Sequence, residues 1–170
     1  IINGGQIGIG QDATSPSGTL HISTARYSTT NEITDGNAIS TSNWSTSNTT
    51  GMTIGTPSNK ATYNDGVNSD LVQTGIFTQP TDAGKRYKLT FTIEAKSEVT
   101  FTNAKLWIGR QDGGQGYVDG AYNDYALGKH EVIFVLPTDT TSTGLAFWAA
   151  TSGSAFVISN ISLYEDTLST

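Results

Sequence analysis

Few residues of this chain have side chains suited to covalent chemistry. Its 170 residues include no Cys and only two His, His21 and His130, and they contain no Gly-x-Ser-x-Gly, His-Glu-x-x-His or phosphate-loop pattern. Disulfides, thiolate catalysis and Cys-based zinc sites are therefore excluded. His130 opens an apolar strand, which makes it a structural residue. The fifteen Asp and Glu are scattered and define no carboxylate pair of the kind glycosidases use. The chain is expected not to be an enzyme.

The residues suited to binding are concentrated in one segment, from Gly109 to Gly128. Here Arg110, Gln111, Asp112, Tyr117, Asp119, Tyr122, Asn123, Asp124 and Tyr125 sit together among glycines and alanines that add no bulk. A sugar presents apolar C–H faces ringed by hydroxyls, so aromatic rings can stack on it while planar polar groups bind its edges. This segment offers both. Just before it, Ala104, Leu106 and Ile108 alternate with Lys105 and Trp107, so Trp107 faces away from the core if the first three face it. The expected contact set is Trp107, Arg110, Tyr117, Tyr122 and Tyr125. The alternative is that the tyrosines pin a long loop to the sheet and that Trp107 belongs to a second core layer. Trp44 and Trp148 are expected to be packing residues, Trp148 because it lies in the apolar run from Leu145 to Ala150.

The elements that must position these side chains are strands. Ser and Thr make up about a quarter of the chain and only 14% is charged, a composition of sheets with polar faces. Strands are expected at Asp70–Thr78, Tyr87–Ala95, Thr100–Gly109, His130–Leu136, Gly144–Ala150 and Ala155–Tyr164. In Tyr87–Ala95 every second residue is apolar, the mark of an antiparallel strand with one buried face. A net charge of -6 argues against nucleic-acid partners, which need clustered cations. No apolar stretch approaches the roughly 20 residues of a membrane-spanning helix.

The first 26 residues differ in character. Gly5-Gln6-Ile7-Gly8-Ile9-Gly10 is followed by Ser15-Pro16-Ser17 and then by Thr19-Leu20-His21-Ile22. The order resembles the VGIG…TSPS…LHV element of bacteriophage tail fibres, with Gln11-Asp12-Ala13 altering the usual spacing. Ile7, Ile9, Leu20 and Ile22 form thin apolar edges that a single chain would leave in water, so a homotrimer is expected. Ile1–Gly5 lack the features of a signal peptide, which points to an internal fragment or a processed product.

The stretch from Ile33 to Glu165 resembles jelly-roll carbohydrate-binding modules. The resemblance rests on Asp35-Gly36-Asn37 ahead of Asn43-Trp44, on Leu71-Val72-Gln73, on Ala83-Gly84-Lys85-Arg86-Tyr87 leading into Leu89-Thr90-Phe91, and on the closing run Phe156–Leu163. In those modules the last strand commonly carries an Asp where Asn160 stands here. No cofactor is expected and no metal ligands are assigned. Asp35, Asp65, Asp70 and Asn160 are the candidate oxygen donors for a structural calcium, although their spacing matches no loop motif. The fold expected is all-β: an antiparallel jelly-roll β-sandwich (27–170, ending in a loose tail from Asp166) preceded by a short N-terminal β stalk element (1–26). Together the two resemblances imply a fibre tip or decoration domain on the virion surface. It would bind surface glycans non-covalently alongside copies of itself and other virion proteins. The competing expectation is a purely structural trimeric domain; a glycoside hydrolase is the remote third.

Overall fold

The computed structural model describes residues 2–3, 6–7, 26–64, 68–96, 103–114, 116–118, 121–138, 143–149 and 155–167. These form eleven strands: β1 (Ile2–Asn3), β2 (Gln6–Ile7), β3 (Met52–Ile54), β4 (Ala61–Tyr63), β5 (Ser69–Gln73), β6 (Arg86–Ala95), β7 (Ala104–Arg110), β8 (Asn123–Tyr125), β9 (Gly128–Val135), β10 (Leu145–Ala149) and β11 (Phe156–Glu165). Among the described residues there is no helix. The domain is an antiparallel jelly-roll sandwich. One sheet has the order β5-β10-β7-β8 and the other β3-β4-β11-β6-β9. Each of the six expected strands is present, with Thr100–Thr102 and Ala150 of the expected spans lying outside the described residues. Asp70–Thr78 is shorter than expected, because the chain leaves the sheet after Gln73 and turns at Gly75 with φ 72°.

Alternation builds the core. Leu89, Phe91 and Ile93 of β6 and Phe156 and Ile158 of β11 point inward and meet Leu106 and Ile108 of β7 and Phe147 of β10, all almost fully buried. Phe91 and Phe147 touch edge to face, with ring centroids 5.5 Å apart. Tyr63 stacks on Phe156 at 4.5 Å and its hydroxyl donates to the Phe147 carbonyl at 2.5 Å, which ties the two sheets together through a polar group. Burial in that apolar setting pushes the Tyr63 hydroxyl well above its ordinary pKa, with Asp70 adding to the effect. Trp44 is buried, as the sequence implies.

Two local features fasten the segment around residues 26–36 to β11 and the residue that follows it. The β11–β6 register shifts between Ser159 and Ser162, a bulge that accommodates Asn160 at φ 51° and lets buried Ile161 donate its N–H to the Gly36 carbonyl at 2.8 Å. A side chain at Gly36 would put its Cβ 1.8 Å from the Ile161 carbonyl oxygen, so only glycine permits this approach. Asp166 is not part of a loose tail: it is buried, bridges to Tyr27, and accepts from Arg26 Nε at 2.9 Å. The expectation missed this because a lone carboxylate after a strand carries no periodic signal. In the N-terminal segment β1 pairs with β2 as Ile2↔Ile7 and Asn3↔Gln6. The rest of the expected stalk, with Ile9, Leu20 and Ile22, lies outside the described residues.

Candidate functional site

The strand register decides which aromatics reach the surface. On the four-stranded sheet Leu71 pairs with Phe147 and Phe147 with Ile108, a row that faces the core. The next row, Asp70–Trp148–Trp107 across β5, β10 and β7, therefore faces outward. Both tryptophans are half-buried. Their ring centroids lie 6.4 Å apart, with the planes inclined at 70°.

Small residues flank this pair on one side, while Lys105 lies next to Trp107 on the other. The row beside it on the same face is Val72–Ala146–Gly109, which places no side chain larger than a methyl beside either indole on β10 and β7. The loop after β7 turns back at once: Gly109 bridges to Gly116, and the Tyr117 N–H donates to the Ile108 carbonyl at 2.8 Å. Gly113 sits at φ 74°, and a Cβ there would lie 3.5 Å from Trp148 Cζ2, so the backbone itself forms a wall against the indole. The result is an open groove of about 470 Å³ lined by Trp107, Trp148, Gly113, Gly114, Gly116, Ala121 and Tyr122. Tyr122 is 46% exposed at its rim. Among the described residues the lining contains no carboxylate, amine or guanidinium.

At the end of the row Asp70 is buried and accepts from the Ser47 N–H at 2.6 Å, Ser47 Oγ at 2.9 Å and Thr46 Oγ1 at 3.3 Å. Its carboxylate is thus satisfied by the loop that covers β5. Behind the glycine wall Arg110 Nη2 donates to Asp112 Oδ2, and Asp112 Oδ1 accepts from the Gly114 N–H at 3.0 Å. These two hydrogen bonds, the backbone one first, hold the Asp112 carboxyl below its usual pKa.

Of the five expected contact residues, the structure brings Trp107 and Tyr122 into the groove. Arg110 stands behind the wall, where a Cβ on Gly114 would meet its Cζ at 3.3 Å. Tyr117 and Tyr125 are corrected to core residues. Tyr117 is 6% exposed, stacks on Phe134 at 5.3 Å and donates its hydroxyl to the Gly144 carbonyl at 3.0 Å. Tyr125 is 7% exposed and meets Phe91 and His130 edge to face, both at 5.1 Å. The physical reason is pairing. Tyr125 lies in β8 opposite buried Ala104, so it shares the inward parity of that residue. His130 is structural as expected, with Nε2 2.8 Å from the Ala126 carbonyl, which requires the proton on that nitrogen.

Trp148 is the groove residue that sequence reasoning missed. The available signal is the alternation of Leu145, Phe147 and Ala149 with Ala146 and Trp148, which places Trp148 outward once β10 is read with period two. The candidate calcium donors do not form one coordination sphere. Asp35 and Asn160 share a polar groove on the five-stranded sheet, Asp70 belongs to the other sheet, and Asp65 lies outside the described residues. Among the described residues no group of three or more His, Cys, Asp or Glu is placed to hold a metal.

The fold and the groove together define an antiparallel jelly-roll domain with an aromatic surface cleft. No protein-family model matches the chain, and no curated protein matches it either. Solved structures similar to it include the enzymatically active domain of tailspike protein 4 of bacteriophage CBA120 (14% identity, TM-score 0.49, covering 79% of this chain and 21% of that one). They also include a CBM4 domain (16% identity, TM-score 0.45, covering 73% of this chain and 95% of that one). A third is the CBM22-1 xylan-binding domain from Paenibacillus barcinonensis Xyn10C (9% identity, TM-score 0.40, covering 77% of this chain and 90% of that one). The chain thus spans about a fifth of the tailspike chain.

Proposed function

We propose that the chain is the glycan-binding head of a bacteriophage fibre, in which Trp107, Trp148 and Tyr122 hold a sugar of a surface polysaccharide non-covalently. The observation that carries this reading is the pair of half-buried indoles side by side on an outer sheet face, flanked by glycine and alanine. Nothing in the core requires two tryptophans there, and a soluble surface seldom groups large aromatics without a ligand. The groove has the shape and chemistry for stacking on C–H faces, and among the described residues its lining offers no carboxylate for hydrolysis.

The fibre assignment rests on the residue order of the segment Gly5–Ile22. Under it, residues 1–26 are a stalk that joins three chains and 27–170 the head. The partners are then two further copies and other virion proteins, and the location is the virion surface. Three heads on one stalk would raise a weak single-site affinity by avidity.

The test is a glycan array and host-cell binding with the full chain, comparing Trp107→Ala, Trp148→Ala and Tyr122→Ala with Thr92→Ala on the opposite sheet. The groove variants are expected to lose binding while melting as the wild type does. Unchanged binding in folded groove variants would overturn the site. A second reading, a structural domain without ligand, is favoured by the burial of Tyr117 and Tyr125, which turns much of the loop into packing. A wild-type chain that is folded and binds no glycan or cell would select it.

A further inference from the structure

The sandwich has four edges, and they are not protected alike. On the four-stranded sheet β5 is covered, because Ser45 bridges to Val72 with hydrogen bonds in both directions at 2.9 Å. The opposite edge, β8, is only three residues long, as is the β3 edge of the five-stranded sheet. Both are too short to template another strand. The remaining edge, β9, runs eight residues from Gly128 to Val135 without a proline or a bulge. Its inner side is fully paired with β6, and among the described residues no backbone hydrogen bond covers its outer side.

This edge also carries exposed apolar surface. Of the four exposed large hydrophobic residues among those described, three are on or beside it: Leu127 at 54%, Ile133 at 42% and Val135 at 54%. Lys129 and Glu131 share the solvent face of β9, opposite Thr92 and Thr90 of β6. Lysine on an edge normally repels a second strand. Here the opposite charge two residues on reverses that effect for one partner, a second copy of the same strand.

We infer that β9 is a homophilic edge, pairing antiparallel with β9 of a second copy about a two-fold axis through His130. In that register Lys129 lies opposite Glu131 of the second copy and Glu131 opposite its Lys129, giving two ion pairs from one strand. An axis through Glu131 would set that carboxylate against itself, and one through Val132 would put each charge opposite an apolar residue. A parallel arrangement would juxtapose like charges. The pairing merges two five-stranded sheets into one continuous sheet and leaves the tryptophan groove, on the other sheet, open. It is independent of any association through residues 1–26, since the contact lies wholly within the jelly roll.

The test is sedimentation equilibrium of the full chain at micromolar concentration, with Lys129→Glu, Glu131→Lys and the exchanged double variant. Each single variant places two like charges opposite each other, and the association is expected to weaken roughly tenfold or more. At a given concentration the wild type should show a higher average mass than either single variant, whatever order the N-terminal segment imposes. The double variant restores both ion pairs and should restore the mass. Because Lys88 lies 4.0 Å from Glu131, Lys129→Glu is the cleaner single change. Both positions are exposed, so melting temperatures should stay together and confirm that folding is not what changed. Equal masses for all four proteins, or a double variant that stays at the single-variant mass, would overturn the inference.

Discussion

The outer faces of the two sheets are made of different materials. On the five-stranded sheet, rows of Thr62–Val157–Glu94, Ser159–Thr92–Lys129 and Ser162–Thr90–Glu131 cross the strands. These side chains satisfy each other: Thr90 and Ser162 share a hydrogen bond at 2.6 Å, and Glu94 joins Lys60 at 2.6 Å and Ser159 at 2.5 Å. These rows are polar, solvated and internally bonded, and the exposed apolar side chains of that face, Ile133 and Val135, are confined to its β9 edge. On the four-stranded sheet, the outer surface holds two indoles beside alanine and glycine, with Lys105 next along β7, and among the described residues the groove itself is lined by no ionisable side chain except the Tyr122 phenol. A face that exists for stability looks like the first. The second leaves apolar area in water that a ligand could cover, which is why function is assigned to it.

The largest expected effect breaks this comparison if it fails. Trp107→Ala combined with Trp148→Ala should weaken glycan binding by about 2–3 kcal/mol, or roughly 30- to 150-fold, as loss of stacking rings does at binding hot spots. The same pair of changes should alter the melting temperature far less than a core truncation would. Thr90→Ala on the other face should leave affinity unchanged. Isothermal titration with a glycan identified on the array, run beside thermal melts, measures both. If the double variant unfolds rather than losing affinity, the two faces serve the same purpose and the comparison is wrong.

Gly113→Ala sharpens it at a smaller scale. The φ of 74° is left-handed, so alanine should cost about 1–2 kcal/mol of stability. The added methyl would lie 3.5 Å from Trp148 Cζ2, an ordinary contact, so space is not the limit. Affinity of the folded variant should fall by less than about tenfold, because the indole stays in place and the methyl only adds an ordinary contact to it. Chemical denaturation and titration together separate the two effects. A loss as large as that of Trp148→Ala would mean that the loop backbone, and not the ring, makes the main contact.

Tyr117→Phe tests the boundary between site and core. It removes the hydrogen bond to the Gly144 carbonyl while keeping the ring stacked on Phe134. About 1 kcal/mol of stability should be lost, with no change in affinity. An affinity change would return Tyr117 to the contact set.

That last case shows where sequence stops being informative. The six longer strands are legible because alternation over five or more residues defines a face; Leu89, Phe91 and Ile93 suffice for β6. Trp107 is legible for the same reason. Trp148 is less so: the period of β10 also places it outward, but apolar Ala146 shares that face, so the run from Leu145 to Ala150 reads as continuously apolar. Tyr117 and Tyr125 appear exposed in sequence because they lie among glycines and polar residues. Their burial comes from a bridge between Gly109 and Gly116 and from the pairing of β8 with β7. Local composition contains neither contact. Strands of three residues such as β3, β4 and β8 carry no period at all.

The smallest expected effect separates the two faces by pH. At Glu94, burial alone would raise the carboxyl pKa, but the hydrogen bonds from Lys60 and Ser159 outweigh it and the net shift is downward. A carboxylate with a lowered folded-state pKa contributes stability above its unfolded pKa, near 4.3 for Glu, and loses it as pH falls through the folded value. Glu32 acts in the opposite sense. Burial first, and then Glu165 and Asp82, raise its pKa, so protonation on acidification relieves a penalty and partly masks the Glu94 effect in the wild type. The clean measurement is therefore a difference, wild type minus Glu94→Gln, by chemical denaturation from neutral pH down to about pH 3. Both Lys60 and Glu94 are 33% exposed, and solvent screening limits the difference to a few tenths of a kcal/mol at neutral pH, shrinking toward zero in acid. Over the same range glycan affinity per folded molecule should stay flat, because among the described residues the groove is lined by no carboxylate or imidazole. An affinity that fell in step with the Glu94 difference would mean that the ligand contacts the charged face and that the aromatic groove is not the binding site.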